Sequence, residues 1–228
     1  LDQQSQPLSV AAGMIRQLAI SEFREKVLTS TEFNALVVGD PTWNESAGKF
    51  SPLPGAAAEA LAVAKIFREQ GYERTEELVE KSAAPQTILS ALYRRPYKLI
   101  HLAGHGVVDF PLDPQVFKGE APHAGKREEP QLVTGMVLGD GMFLTPAEIE
   151  QMRYVPDLVF INCCHLGSTK TTKGTLEQHD VAFHRLASNV ATQLIRMGVH
   201  AVIAAGWAVS DDAAKTFATT FYREMFKQ

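Results

Sequence analysis

The stretch Tyr97-Lys98-Leu99-Ile100-His101-Leu102-Ala103-Gly104-His105-Gly106 decides the fold. It is a short apolar run that empties straight into glycine and histidine. Continuous rather than alternating apolar character reads as a strand buried on both faces, as in a parallel sheet. Three other runs share the pattern: residues 34–39 ahead of Asp40-Pro41, residues 157–162, and residues 199–207. Amphipathic helical stretches separate them, at 55–70, 85–94 and 181–197, with a last helix from Ser210 or Asp211 to about Lys227. A weaker strand is expected at 77–79, and a short strand or hairpin at 136–138 before the turn Gly139-Asp140-Gly141. Thr145, Pro146 and Glu148 mark a helix start. Residues 43–54 and 168–180 read as polar loops. Residues 109–130, with four prolines and two glycines, read as a long surface loop. Strands alternating with helices specify an α/β domain over 34–228 with a mostly parallel sheet. Before it, Val10, Met14, Leu18, Ile20, Phe23 and Val27 have helical spacing, so residues 1–33 read as a helical lead-in.

The chain has 228 residues, 45% hydrophobic and 21% charged, which excludes wholesale disorder. Lys plus Arg number 22 against 26 for Asp plus Glu, a net charge of −4. That balance argues against direct nucleic-acid binding or an anionic membrane surface. No apolar run reaches the roughly 18 residues of a membrane span. The chain opens at Leu1 rather than Met, without a signal peptide, and reads as a piece of something longer. Its two cysteines, Cys163 and Cys164, are adjacent, a poor geometry for a structural disulfide. A reducing, cytoplasmic compartment is expected.

Parallel sheets gather functional groups beyond the carboxyl ends of their strands. Here one strand ends in His105-Gly106, one in Cys163-Cys164-His165, and one in Trp207 ahead of Asp211. Adjacent strand ends would set an imidazole beside a thiol, the minimal arrangement for a cysteine nucleophile. The glycine after the histidine would let its N–H join a cysteine N–H on a tetrahedral oxyanion. Alone, a cysteine at a strand end is more often packing than nucleophile, and a His-Gly pair after a strand is a weak signal. His105 precedes Cys164 by 59 residues, and caspases place their histidine about 50 residues upstream, although the local caspase signature is absent.

The run 97–106 also resembles the histidine motif of CHAT domains, caspase-like, separase-related peptidases often attached to TPR repeats. Blocks resembling the family follow in order: Leu36-Val37-Val38-Gly39-Asp40-Pro41, Leu53-Pro54-Gly55-Ala56 with Glu59-Ala60, Val137-Leu138-Gly139-Asp140-Gly141, and Leu144-Thr145-Pro146-Ala147-Glu148-Ile149. Residues 159–167 fill the position of a strand leading to Ser-Ala-Cys-x-Thr-Gly, and residues 198–211 resemble the tryptophan segment. The resemblance implies a caspase-like three-layer α/β/α sandwich and a cysteine endopeptidase acting on protein substrates. It implies the effector module of a larger bacterial protein, in defence or signalling, controlled by sensor or repeat domains of the same or a partner chain. The roles it implies are His105 as general base and acid, Cys164 as nucleophile, and the N–H groups of Gly106 and Cys164 as oxyanion hole. No cofactor is implied. Cys163 departs from the usual small residue, and Asn-Cys-Cys-His resembles the metacaspase Asp-x-Cys-His with Asn for Asp. The family's final strand and helix have no counterpart after Phe221-Tyr222, which again reads as a partial chain.

Other readings carry less. A zinc site at His101, Cys163, Cys164 and His165 lacks the usual ligand spacing. Gly167-Ser168-Thr169-Lys170 lacks the spacing of a phosphate loop. His101, four residues before His105, is read as a core histidine if the strand breaks at Gly104. A catalytically inactive interaction module and a vicinal-thiol redox sensor remain as rivals. For substrate binding the expectation is a pocket lined by Asn162, Trp207 and Asp211. It prefers an uncharged residue, because Asp211 is equally well spent capping the last helix.

Overall fold

The computed structural model describes residues 27–41, 50–112, 131–166, 176–205 and 209–227, with the backbone alone for 164–166 and 176–183. The expected lead-in helix before residue 27 falls outside these. Its predicted end instead holds a short strand, β1 (Leu28–Thr29), which later pairs in parallel with β7 (Tyr154–Val155). The remaining strands are β2 (Asn34–Gly39), β3 (Arg74–Val79), β4 (Leu99–Leu112), β5 (Gln131–Gly139), β6 (Met142–Leu144), β8 (Leu158–Leu166) and β9 (Ala201–Ala204). The helices are α1 (Pro54–Glu69), α2 (Pro85–Arg94), α3 (Pro146–Glu150), α4 (Leu176–Met197) and α5 (Asp211–Met225).

Five strands, in the order β3-β2-β4-β8-β9, are mutually parallel. Leu36, Val38, Ile100, Leu102, Val159 and Ile161 face a core closed by α2, α3 and α4. Val37, Leu99, Leu158 and Phe160 face Ala60, Val63 and Phe67 of α1 with Ala218 and Tyr222 of α5. Strands covered on both sides explain the unbroken apolar runs. The layers are those of a caspase-like α/β/α sandwich.

The long loop expected over residues 109–130 does not begin at Asp109. β4 runs on to Leu112, so Asp109 to Leu112 are strand, and residues 113–130 lie outside the described set. This extension comes with a change of neighbour. β2 accompanies β4 only to Ala103, and from Gly106 onward β5 takes the same side in antiparallel pairing. β5 and β6 form the hairpin expected around Gly139-Asp140-Gly141. Phe50, Val107, Phe110, Val137 and Phe143 make a separate small core there. The helix at α3 starts with the predicted capping box: Thr145 Oγ1 accepts from Ala147 N at 3.2 Å, and Thr145 N donates to Glu148 at 2.9 Å. α4 begins at Leu176, inside the stretch 168–180 read as polar loop.

Candidate active site

β4 and β8 are neighbours, so the two strand ends singled out in the sequence lie side by side. Ala103 pairs with Asn162, and His105 pairs with His165. Two steps along β4 therefore match three along β8, which leaves Gly104 facing both Cys163 and Cys164. This is a bulge, and bulges re-aim side chains and interrupt alternation. β4 itself does not break at Gly104, contrary to the sequence expectation. The irregularity sits on the opposite strand.

The backbone of β4 keeps His101 and His105 on one face. His101 is fully buried among Phe160, Tyr222 and Glu59, with its Nδ1 3.3 Å from the Tyr222 hydroxyl. His105, 4% exposed, packs on Phe50 with ring centroids 5.4 Å apart. Its Nε2 is 2.7 Å from the carbonyl oxygen of Ser51. A carbonyl only accepts, so Nε2 carries the hydrogen, and in the neutral form of the ring Nδ1 is then the nitrogen with the lone pair. Sequence reasoning could not find this partner, because a main-chain oxygen leaves no residue signature.

Cys163 goes the other way. It is 3% exposed and packs in the core beneath α4, on the face away from His105. Gly106 shares that side, held between Leu186 and Cys163, and its register partners are Met136 on β5 and Leu166 on β8. The side chain of Cys164 lies outside the described atoms, and so does Trp207. Only the backbone of Cys164 is positioned, one residue before the partner of His105.

Asn162 and Asp211 line one small cavity of about 10 Å³ together with Glu59. Asp211 is not the cap of α5. Ser210 occupies that position, without a side-chain cap bond, and Asp211 is the first helical residue. The carboxylate of Asp211 instead packs where a Cβ on Gly55 would stand, 2.1 Å from its Oδ2, which explains the glycine in the first turn of α1. Glu59 was missed as a site residue. It is 1% exposed, and its Oε2 accepts from Asn162 Nδ2 at 2.7 Å. The available signal was a lone acid on the apolar face of α1, in line with Val63 and Phe67.

Burial, and after it the negative charge of Glu59, push the Tyr222 phenol well above its ordinary range. Among the described residues no group of three or more His, Cys, Asp or Glu is arranged to hold a metal ion, and no helix is long and apolar enough to cross a membrane. No curated protein and no solved structure shows significant similarity to the chain. The CHAT domain family matches residues 3–228. With that match over nearly the whole sequence, and with the sheet and strand ends described above, the chain belongs to the CHAT domain family.

Proposed function

We propose that this domain is a cysteine endopeptidase using His105 and Cys164. The observation that carries the reading is the imidazole of His105, oriented by the Ser51 carbonyl, on the strand next to Cys164. A base held by a third group is the arrangement that activates a thiol. In this mechanism His105 Nδ1 takes the proton of the Cys164 thiol. The thiolate forms a bond to the scissile carbonyl carbon, and the carbonyl electron pair moves onto oxygen. The N–H groups of Gly106 and Cys164 are the proposed donors to that oxyanion. As the intermediate collapses, the C–N bond breaks and His105 returns the proton to the leaving amine. Water then hydrolyses the thioester, releasing the acid and restoring the thiol.

The burial of Cys163 against α4 supports Cys164 as the reacting thiol, since Cys163 lies on the face opposite His105. The same burial counts against a vicinal-thiol redox sensor, in which both sulfurs have to meet the oxidant. The near-complete burial of His105 favours one rival, an interaction module that performs no chemistry. A protein substrate, and restraint by sensor or repeat domains of the same or a partner chain, complete the proposal.

A thiol-reactive probe separates the two readings. Labelling of Cys164 at neutral pH that is lost in His105→Ala supports the peptidase. Equal labelling of both proteins supports the interaction module. Cleavage products from the full-length protein mixed with candidate partner proteins, mapped by mass spectrometry, would then identify the substrate.

A further inference from the structure

The proposed reaction leaves unused the buried polar groups just beneath the two strand ends. Glu59 is one of them, and a carboxylate at 1% exposure is unfavourable unless other groups answer it. Two do, and they come from different strands. Asn162 on β8 donates to Oε2 at 2.7 Å. His101 on β4 brings Nε2 within 3.1 Å of Oε1, at ion-pair distance but off hydrogen-bond geometry. Among the described residues, the titratable and charged groups around Glu59 are thus His101 from β4 and Tyr222 and Asp211 from α5. The neutral amide of Asn162 completes the set.

The location matters more than the contacts. Asn162 belongs to the last regular pair, with Ala103, before the register slips by one residue. Between that pair and the next, His105 with His165, the backbone ladder is interrupted, and pairing resumes only with β8 one residue ahead. One side chain from a helix therefore touches both strands at the last pair before that interruption. It does so two residues before Cys164 and four before His105.

We propose that Glu59 is a positioning residue for the dyad. Through His101 and Asn162 it holds the ends of β4 and β8 in the alignment that sets Cys164 one residue before the register partner of the base. The inference rests on the peptidase reading above. It adds that α1, which supplies neither the base nor the nucleophile, governs their encounter.

The test uses Cys163→Ala as parent, in which Cys164 is the sole thiol of the 228-residue chain. The rate of Cys164 alkylation by iodoacetamide is followed from pH 5 to 9, with a thermal melt for each variant. Glu59→Gln keeps the shape of the side chain and an acceptor for Asn162. It is expected to fold, to slow alkylation at pH 7 about tenfold, and to move the pH profile toward that of an ordinary thiol. A structural role alone lowers the melting temperature and leaves the profile in place, and that result overturns the proposal. His105→Ala in the same parent separates the two claims. If it leaves alkylation unchanged, the dyad reading falls and the positioning role falls with it. If it slows alkylation while Glu59→Gln does not, only the positioning role falls. Should Glu59→Gln fail to fold, Asn162→Ala cuts the link to β8 alone and is judged by the same change in profile.

Discussion

Gly106 and Leu186 are packed so closely that a Cβ built on the glycine would lie 2.2 Å from Leu186 Cδ2, and 3.0 Å from Cys163 Cβ. The glycine after the histidine thus has a packing explanation, the close approach of α4 to β4, beside any role toward substrate. The two explanations separate experimentally, because alanine keeps the main-chain N–H.

Gly106→Ala is expected to destabilise the domain by about 1–3 kcal/mol through overpacking. Adding Leu186→Ala should recover part of that loss, giving a coupling between the two sites in a denaturant double-mutant cycle. Simple additivity would show that the contact is not what demands glycine. If activity returns together with stability, the N–H of residue 106 and not the absent side chain serves the reaction.

Cys164→Ala should abolish peptide cleavage, and Cys163→Ala should leave most of it. Strand alternation does not decide between them, because the bulge at these positions interrupts it. The expectation rests on Cys163 being buried on the far face of the sheet from His105. Activity assays on the two variants decide it, and the reverse result reassigns the nucleophile.

His105→Ala should remove activity from a domain that still melts cooperatively. His101→Ala, by contrast, should lower stability by about 1–3 kcal/mol, since it strips the buried Glu59 of a neighbour. Melting curves beside activity measurements test both. A stable but inactive His101→Ala protein would show that His101 acts on the dyad, directly or through Glu59, and is more than a core residue.

The residue preceding the scissile bond is expected to be uncharged. Glu59 already faces Asn162 and His101, and the cavity it shares with Asp211 is about 10 Å³ among the described residues. That leaves little room for a guanidinium, which needs a paired carboxylate once desolvated. A peptide library profiled on the native protein and on Asp211→Ala tests this. Strict arginine preference that disappears in the variant would identify Asp211 as the specificity acid.

Alkaline pH should unfold the domain through Tyr222. Its folded-state pKa is raised, so above about pH 10 the unfolded chain loses phenolic protons that the folded chain keeps. Stability is then lost as pH rises, by up to about 1.4 kcal/mol per pH unit for a single such phenol. Urea midpoints between pH 9 and 11 should fall, and fall less steeply in Tyr222→Phe. Parallel slopes for the two proteins would assign the effect to other tyrosines, of which Tyr97 is also raised, chiefly by burial.

The strands that carry His105 and the cysteines were legible because both of their faces are covered, which leaves a continuous apolar run. α2 was legible to the residue because Pro85 opens it. The extension of β4 was not, since Asp109 and Pro111 read as turn residues and its partner β5 lies far along the chain. The bulge was invisible for a different reason: it depends on the relative advance of two strands, which neither strand's sequence records. Glu59 was hidden because an acid on a helix reads as solvated until the packing shows otherwise.

Between the pair Ala103–Asn162 and the pair His105–His165, β8 is one residue longer than β4. The doubled cysteine is therefore also a matter of counting. Exchanging Cys163 for another small residue preserves the tally, whereas deleting it would let the two strands march in step and carry every later residue of β8 back by one place. On this view the first cysteine of the pair acts as a spacer whose identity is negotiable and whose presence is not. Where the second falls along the neighbouring strand is set by chain length before it is set by chemistry.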